Sequence, residues 1–172
     1  APAFFSVITS DGVRLNGWMI RPPGFQTTEN YPVLLYAYGG PGSQTVTDAW
    51  QGTRYLWHQS LAAQGYIVAS VDNRGTGGRG RDFKNLVFRD LGRWEAHDQI
   101  ETARYFAGLP YVDAGRIGIW GWSYGGYLSA LTLMKGGDLF RAGIAVAPVT
   151  DWRLYDTIYT ERYMLTPAAN PE

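Results

Sequence analysis

The sequence has no cysteine and only two histidines among its 172 residues. The absence of cysteine excludes disulfides and thiolate metal sites, and it leaves the redox compartment undetermined. Because His58 and His97 are the only imidazoles, an all-protein zinc site is not expected, and no cofactor is called for. No apolar run approaches the roughly 18 residues of a membrane-spanning helix, so no membrane segment is expected.

The chain also has no excess of charge of either sign. Basic and acidic side chains both number 15, and the formal net charge is zero. This balance removes the electrostatic basis for nucleic acid or an anionic membrane as a partner. The Gly- and Arg-rich segment 74–81 is interpreted as a flexible loop. It is not a phosphate-binding loop, because Gly80 is followed by Arg81-Asp82 where Lys-Ser/Thr would be needed.

Apolar runs bounded by Gly and Pro alternate with segments of helical spacing. The first two strands, 4–9 and 13–20, are predicted to form a hairpin around Asp11-Gly12. Buried strands are predicted at 33–38, 66–72, 116–122 and 142–147. Helices are predicted at 52–63, 94–107, 124–134 and 151–164. The order predicts one α/β domain: a mostly parallel sheet with helices on both faces, opened by an antiparallel hairpin.

Spacing within the predicted helices indicates which side chains face the core. In the helix 52–63 the expected inner residues are Tyr55, Leu56, Leu61 and Ala62. In the helix 94–107 they are Ile100, Ala103, Tyr105 and Phe106. Charged residues near the start of that helix are expected to form a solvated face: Arg93, Glu95, Asp98 and Glu101. His58 and His97 lie in predicted helices and are interpreted as surface or packing residues.

Ser123 stands where a predicted buried strand runs directly into a predicted helix. A nucleophile elbow needs small residues two positions before and two after its serine, and Gly121 and Gly125 meet that need. The hydroxyl is then expected at the C-terminal edge of the sheet, with the backbone N–H of Tyr124 as an oxyanion donor. The alternative is an ordinary Gly-rich turn with an incidental serine.

Tyr38 ends another predicted strand, just before Gly39-Gly40-Pro41-Gly42. Its phenol is therefore expected at the same edge of the sheet as Ser123. A hydroxyl in that place can serve as a second oxyanion donor. The alternative is a tyrosine that packs beside a turn.

The acid and the base of a catalytic triad do not follow Ser123. In α/β-hydrolases the triad runs in the order Ser, Asp or Glu, His, and no histidine occurs after Ser123. The chain also begins at Ala1 without an initiator Met and ends at Glu172 without a capped element. We therefore expect residues 1–172 to be the N-terminal part of a longer catalytic domain, truncated before its last strands and inactive alone.

Four strings carry a resemblance to a known family. They are Tyr-Gly-Gly-Pro-Gly at 38–42, Asp-Asn-Arg-Gly at 72–75, Trp-Gly-Trp-Ser-Tyr-Gly-Gly-Tyr at 120–127 and Tyr-Asp-Thr-Ile-Tyr-Thr-Glu-Arg-Tyr-Met at 155–164. Together they resemble the dipeptidyl peptidase IV branch of the prolyl oligopeptidase family, over nearly the whole chain from Phe4 onward. The last string distinguishes this branch from other members.

The resemblance implies an α/β-hydrolase fold and a serine peptidase without cofactor or metal. It implies that Ser123 is acylated, and that the Tyr38 hydroxyl and the Tyr124 N–H form the oxyanion hole. The substrate would be a peptide with proline, or less readily alanine, at P1, released as an N-terminal dipeptide. The implied P1 pocket consists of Tyr155, Tyr159, Trp152, Val146 and Val149, with the ring of Tyr124. A homodimeric parent protein agrees with the resemblance, while the sequence leaves the compartment undetermined, a bacterial periplasm or cytoplasm being the expectation.

The residues alone leave one feature of this pocket open. Tyr155, Tyr159 and Tyr163 are spaced four apart, so on spacing alone they indicate a core stripe on one helical face. With the resemblance, Tyr155 and Tyr159 are assigned to the pocket and Tyr163 to packing. The family's β-propeller, with the glutamates that bind the substrate's N-terminus, has no counterpart here. The alternative function is a non-catalytic α/β-hydrolase-fold module for binding or dimerisation.

Overall fold

The computed structural model describes residues 2–171 of the chain. Ala1 and Glu172, named above as the two chain ends, lie outside the described residues. The described strands are β1 (Ala3–Ile8), β2 (Arg14–Ile20), β3 (Tyr31–Tyr36), β4 (Ile67–Asp72), β5 (Val112–Trp122) and β6 (Ala142–Val146). The α-helices are α1 (Gly52–Ala63), α2 (Arg81–Asn85), α3 (Arg93–Ala107), α4 (Tyr124–Gly136) and α5 (Thr157–Met164). Single 3₁₀ turns lie at Gly137–Leu139 and Trp152–Leu154.

All six strands belong to one sheet in the order β1-β2-β4-β3-β5-β6. The pairs β4-β3, β3-β5 and β5-β6 are parallel, whereas β1-β2 and β2-β4 are antiparallel. Parallel neighbours need crossover connections, and the helices between these strands provide them. The predicted α/β fold, a mostly parallel sheet opened by an antiparallel hairpin, is confirmed.

Helices cover both faces of the sheet, because the central strands carry apolar side chains in both directions. On one face, Val33 and Ile119 pack with Leu128 of α4 and with apolar residues of α3. On the other face, Tyr36 and Val68 pack with α1. A strand buried on both sides reads as a continuous apolar run, which is why the central strands were visible in the sequence. The expectation that the strand at 142–147 is buried is wrong, because β6 is the last strand of the described sheet and its residues 142–145 are exposed.

The register of β3 and β5 brings two candidate residues to the same edge. Tyr36 pairs with Trp120, and the next amide, that of Ala37, donates a 2.9 Å hydrogen bond to the Trp120 carbonyl. Both strands run parallel and end within two residues of this pair. Tyr38 and Ser123 therefore both follow the carboxyl ends of neighbouring strands.

Two expectations about helix faces are wrong. Leu56 was expected to face the core, but it is 56% exposed. The charged face of α3 was expected to be solvated, but Glu95 and Asp98 are fully buried and Glu101 is 8% exposed; only Arg93 is exposed. The acidic residues are buried because each has a partner from another part of the chain, which helical spacing does not reveal.

The segment 74–81, interpreted above as a flexible loop, is buried at its start and exposed at its end. Arg74 is 3% exposed, and its guanidinium forms 2.6 Å ion pairs with Asp98 and with Asp11. It also lies 4.2 Å from the centre of the Trp94 ring. The exposed part is confined to the glycines and arginines after Gly77, and α2 begins at Arg81.

The predicted helix 151–164 is interrupted. Asp151 accepts a hydrogen bond from the N–H of Arg153 and caps a single 3₁₀ turn. Asp156 accepts from the N–H of Tyr159 at 2.8 Å and starts α5. Tyr155 lies between these two caps in an extended conformation, φ −90° and ψ 169°. Tyr155 therefore does not share a helical face with Tyr159, and the predicted stripe is wrong for that residue.

None of the helices described between residues 2 and 171 has the length and apolar character that crossing a membrane requires.

Candidate active site

Ser123 forms the turn between β5 and α4. Its backbone has φ 57° and ψ −118°, a conformation that residues other than glycine rarely adopt. Its N–H donates a 2.9 Å hydrogen bond to the Val146 carbonyl, and its own carbonyl accepts from the Tyr127 N–H at 3.0 Å. The predicted strand-to-helix turn is present, and hydrogen bonds on both sides hold its unusual backbone.

The glycines around Ser123 are required by close backbone contacts. A Cβ atom at Gly121 or Gly125 would overlap the carbonyl oxygen of Ala37, at the end of β3. A Cβ at Gly126 would lie 2.7 Å from the carbonyl oxygen of Val146. The turn is thus wedged between the ends of the two neighbouring strands, which gives the small-residue pattern a steric cause.

Tyr38 lies half-buried at the same sheet edge. Burial, followed by the nearby phenols of Tyr155 and Tyr163, raises its pKa above the usual value of 10.0. The hydroxyl therefore keeps its proton at neutral pH and can donate a hydrogen bond.

Three aromatic side chains converge on Gly40. A Cβ atom built there would lie 3.1 Å from Cε1 of Tyr38, 3.2 Å from Cγ of Tyr124 and 3.4 Å from the hydroxyl of Tyr159. The backbone after β3 therefore approaches these rings as closely as only glycine allows. The structure brings together two of the predicted oxyanion residues and one of the predicted pocket residues.

Tyr124 is 2% exposed and begins α4. Its hydroxyl donates a 2.5 Å hydrogen bond to Oε1 of Glu95, and the Gly92 N–H donates to Oε2 at 3.0 Å. Glu95 was expected on a solvated face, so its role is not anticipated by the helical spacing. The signal available was a glutamate three residues after Gly92, because a glutamate at that place can accept from the N–H of the residue that precedes the helix.

The predicted pocket aromatics form one cluster. The rings of Trp152 and Tyr159 are stacked with centroids 5.9 Å apart, and Tyr155 meets each of them edge-on at 6.0 and 5.6 Å. Trp152 also lies 5.5 Å from the ring of Tyr124, next to Ser123. Tyr163 contacts Tyr159 from the next helical turn at 5.0 Å. The cluster therefore contacts the residue that directly follows the candidate nucleophile.

The two predicted valines have different relationships to this cluster. Val146 is half-buried and pairs with Trp122, and its carbonyl supports the Ser123 turn as described above. Val149 is 9% exposed and follows β6 by three residues. The structure thus links Val146 to the site through its backbone.

Asn73 is a second residue of the site whose role the sequence does not indicate. Its side-chain N–H₂ donates to the Gly39 carbonyl at 3.0 Å, and its oxygen accepts from Gln99 at 3.0 Å. Asn73 therefore fixes the backbone directly after Tyr38. Within the string Asp-Asn-Arg-Gly at 72–75, nothing local distinguishes this side chain from those of a polar turn.

Neither histidine is placed to act on Ser123. His58 is 1% exposed and is surrounded by aromatic rings with centroids 5.3 to 5.8 Å away: Trp18, Tyr36, Trp57 and Trp120. His97 lies 3.0 Å from a guanidinium nitrogen of Arg74. Among residues 2–171, no group of three or more His, Cys, Asp or Glu side chains is arranged to hold a metal ion.

The chain is similar to several known peptidases. It is 52% identical over 169 residues to a protein of Arthroderma otae named "Probable dipeptidyl-aminopeptidase B", and 52% identical over 171 residues to a protein of the same name from Ajellomyces capsulatus. Each match covers 98% of this chain and 18% of the relative. Among solved structures, Porphyromonas gingivalis dipeptidyl peptidase 4 superposes with a TM-score of 0.93 at 47% identity. That match covers 99% of this chain and 24% of the other.

The family model of the prolyl oligopeptidase family matches residues 50–172, a range that includes Ser123 and the whole aromatic cluster. The chain spans about a fifth of the length of the curated relatives that it matches. The α/β-hydrolase architecture and the sequence similarity lead to the same conclusion: the chain belongs to the prolyl oligopeptidase family.

Proposed function

We propose that Ser123 is the nucleophile of a serine-type dipeptidyl peptidase, and that residues 1–172 are the N-terminal part of its catalytic domain. The observation that carries this proposal is the strained backbone of Ser123, φ 57°, held between β5 and α4. A non-glycine residue in such a conformation costs about 1–3 kcal/mol, and such strain clusters at active sites. Family membership and the names of the relatives support the same class of enzyme.

The proposed reaction has two balanced steps. The hydroxyl oxygen of Ser123 attacks the carbonyl carbon of the P1 residue, while a histidine from beyond this segment takes the hydroxyl proton. The histidine then gives that proton to the leaving amine as the C–N bond breaks, which leaves an acyl-enzyme. Water attacks the ester by the same route, releasing the dipeptide and restoring the hydroxyl of Ser123.

Two donors are proposed to stabilise the tetrahedral oxyanion. The Tyr124 N–H directly follows Ser123 and lies at the N-terminus of α4, where the helix dipole favours negative charge. The Tyr38 hydroxyl is the second, and its raised pKa keeps it a donor throughout the neutral range. Tyr38 and Tyr124 have ring centroids 6.4 Å apart, so both belong to one small region.

The aromatic cluster is proposed to hold proline at P1. A prolyl residue in a peptide bond has two apolar ring faces and no N–H, so flat rings fit it better than polar groups do. The stacked pair Trp152 and Tyr159 and the perpendicular Tyr155 supply such surfaces, with Val146 and Val149 as the proposed aliphatic part. Alanine fills less of this space, so X-Pro substrates are preferred over X-Ala.

The test is hydrolysis of an X-Pro p-nitroanilide by the longer parent enzyme. Ser123→Ala is expected to abolish hydrolysis, and the isolated 172-residue chain is expected to show none. Ser129→Ala is the matched control, because Ser129 is fully buried in the same helix and takes the same substitution. Activity of Ser123→Ala equal to that of the unchanged enzyme would overturn the proposal.

A further inference from the structure

Glu95 connects the start of α3 to the residue that follows the proposed nucleophile. Both of its carboxyl oxygens are used: one accepts from the Gly92 N–H at 3.0 Å and the other from the Tyr124 hydroxyl at 2.5 Å. Gly92 precedes α3, whereas Tyr124 is the first residue of α4. One side chain therefore caps one helix and holds the first side chain of the next.

The ring of Tyr124 is held on its other sides by the candidate site itself. It lies 5.5 Å from the rings of Tyr127 and Trp152, and Gly40 approaches it from the end of β3. The hydroxyl is the part of the side chain that reaches out of this aromatic cluster. Its hydrogen bond to Glu95 therefore restrains the orientation of the Tyr124 side chain beside Ser123.

Helix capping alone does not account for the burial of this carboxyl group. A capping glutamate works equally well at an exposed helix end, whereas Glu95 is fully buried and burial penalises its charged form. This burial raises the pKa of Glu95 to about 7, against the opposing hydrogen bonds from Tyr124 and Gly92. The nearby Asp98 adds to the increase. The cost of burial indicates a second role on the Tyr124 side.

We propose that Glu95 is a positioning residue, which places the Tyr124 N–H for the oxyanion and the Tyr124 ring for the P1 residue. This inference rests on the proposed function of Ser123. Glu95 does not touch the substrate and acts through its hydrogen bond to the Tyr124 hydroxyl. A second link joins α4 to the segment just before α3, because the Tyr127 hydroxyl donates to the Leu91 carbonyl at 2.9 Å. The fold is therefore expected to survive replacement of Glu95.

The test is a double-mutant cycle in the parent enzyme, with kcat and KM measured on an X-Pro p-nitroanilide and corrected for titrated active sites. Glu95→Met and Tyr124→Phe are each expected to lower kcat/KM about tenfold, the size of one lost hydrogen bond to a buried group, mainly through kcat. The double variant is expected to be no worse than either single variant, because both remove the same contact. Glu95→Gln is expected to recover most of the activity, since its amide oxygen still accepts from Tyr124.

Glu101→Met is the matched control, because Glu101 also lies in α3 and accepts from a backbone N–H, that of Ser10, at 2.7 Å. It is expected to lower the melting temperature without changing kcat/KM. If Glu95 only caps α3, Glu95→Met should likewise lower the melting temperature without changing kcat/KM, and the losses of the two single variants should add in the double variant. That result overturns the positioning role. If the parent enzyme hydrolyses no X-Pro substrate, or Ser123→Ala stays active, the proposed function fails and this inference fails with it. An active parent, an inactive Ser123→Ala and an unaffected Glu95→Met would overturn the Glu95 inference alone.

Discussion

The amide of Ser123 donates a 2.9 Å hydrogen bond to the carbonyl of Val146, so the proposed nucleophile is tied by its backbone to β6. On the opposite side, the glycines of the same turn contact the carbonyl of Ala37 at the end of β3. The turn is therefore held by both strands that neighbour β5. The position of Ser123 depends on backbone contacts that no side chain at positions 121, 125 or 126 can accommodate.

We expect Gly125→Ala to disrupt this turn. The new Cβ would overlap the Ala37 carbonyl, which is backbone and cannot move aside, so a loss of about 3 kcal/mol or more in the free energy of unfolding is expected. Urea unfolding of the chain measures it. Gly108→Ala is the control: its Cβ would have only ordinary contacts, the nearest at 3.6 Å, and a change below about 1 kcal/mol is expected. Equal stability of the two variants would contradict the steric account.

We expect Tyr38→Phe to lower kcat of the parent enzyme about 100-fold with little change in KM, because an oxyanion donor acts mainly in the transition state. Steady-state kinetics on an X-Pro p-nitroanilide measure both constants. Tyr36→Phe is the control, since the Tyr36 hydroxyl contacts Arg54 of α1. Equal kcat for the two variants would show that the Tyr38 hydroxyl is only a packing group.

We expect Tyr159→Leu to reduce the preference for proline at P1. Removing the ring that stacks on Trp152 takes away one flat wall, so kcat/KM should fall about tenfold or more for X-Pro and less for X-Ala substrates. Tyr163→Leu, one helical turn further, is the control and should leave the X-Pro to X-Ala ratio unchanged. A ratio that changes equally in both variants would mean that α5 only packs against the site.

The sequence was sufficient for features whose cause is local. The strands were predictable because apolar runs end at Gly or Pro, and the turn at Ser123 because close packing requires small residues at fixed positions. The break in the predicted helix 151–164 arises because Asp151 caps a 3₁₀ turn and Asp156 caps α5. Aspartate is a common helix N-cap, so Asp156 was the available sign that a new helix starts there.

The buried charges were missed for a different reason. Asp98 and Glu95 look like a solvated helical face, and what buries them are partners distant in sequence, Arg74 and Tyr124. Local periodicity carries no information on such pairs. The supporting part of the candidate site was therefore invisible in the sequence, while its reacting residue was visible.

We expect His58 to make the chain less stable in mild acid. Burial lowers its pKa from 6.5 to about 4, so between these values the unfolded chain binds a proton that the folded chain does not. The neutral imidazole of His58 contributes fully to the free energy of unfolding above pH 6.5, and this contribution is lost as the pH falls toward 4. At about pH 5 the loss amounts to about 2 kcal/mol. His58→Phe has no imidazole to titrate, so it does not suffer this loss. Urea titrations measure the free energy of unfolding of the variant minus that of the unchanged chain, and this difference should rise by about 2 kcal/mol between about pH 7.5 and pH 5.

The comparison has to be made between variants, because Glu95 has the opposite effect. Because burial raises the pKa of Glu95 to about 7, this residue stabilises the folded chain in acid, and the stabilisation is lost as the pH rises from 4.5 to 7. Thr132→Val, at a buried position that does not titrate, is the control and should differ from the unchanged chain by the same amount at each pH. A pH-independent difference for His58→Phe would contradict the prediction.

The central claim is that Ser123 is the nucleophile of a serine peptidase whose acid and base lie outside these 172 residues. The measurement that tests it most directly is peptide mapping by mass spectrometry after reaction with a fluorophosphonate, in the parent enzyme and in the isolated chain. The account predicts an adduct on Ser123 in the parent enzyme and no adduct in the isolated chain. An adduct on another serine of the active parent, or strong labelling of Ser123 in the isolated chain, would contradict it.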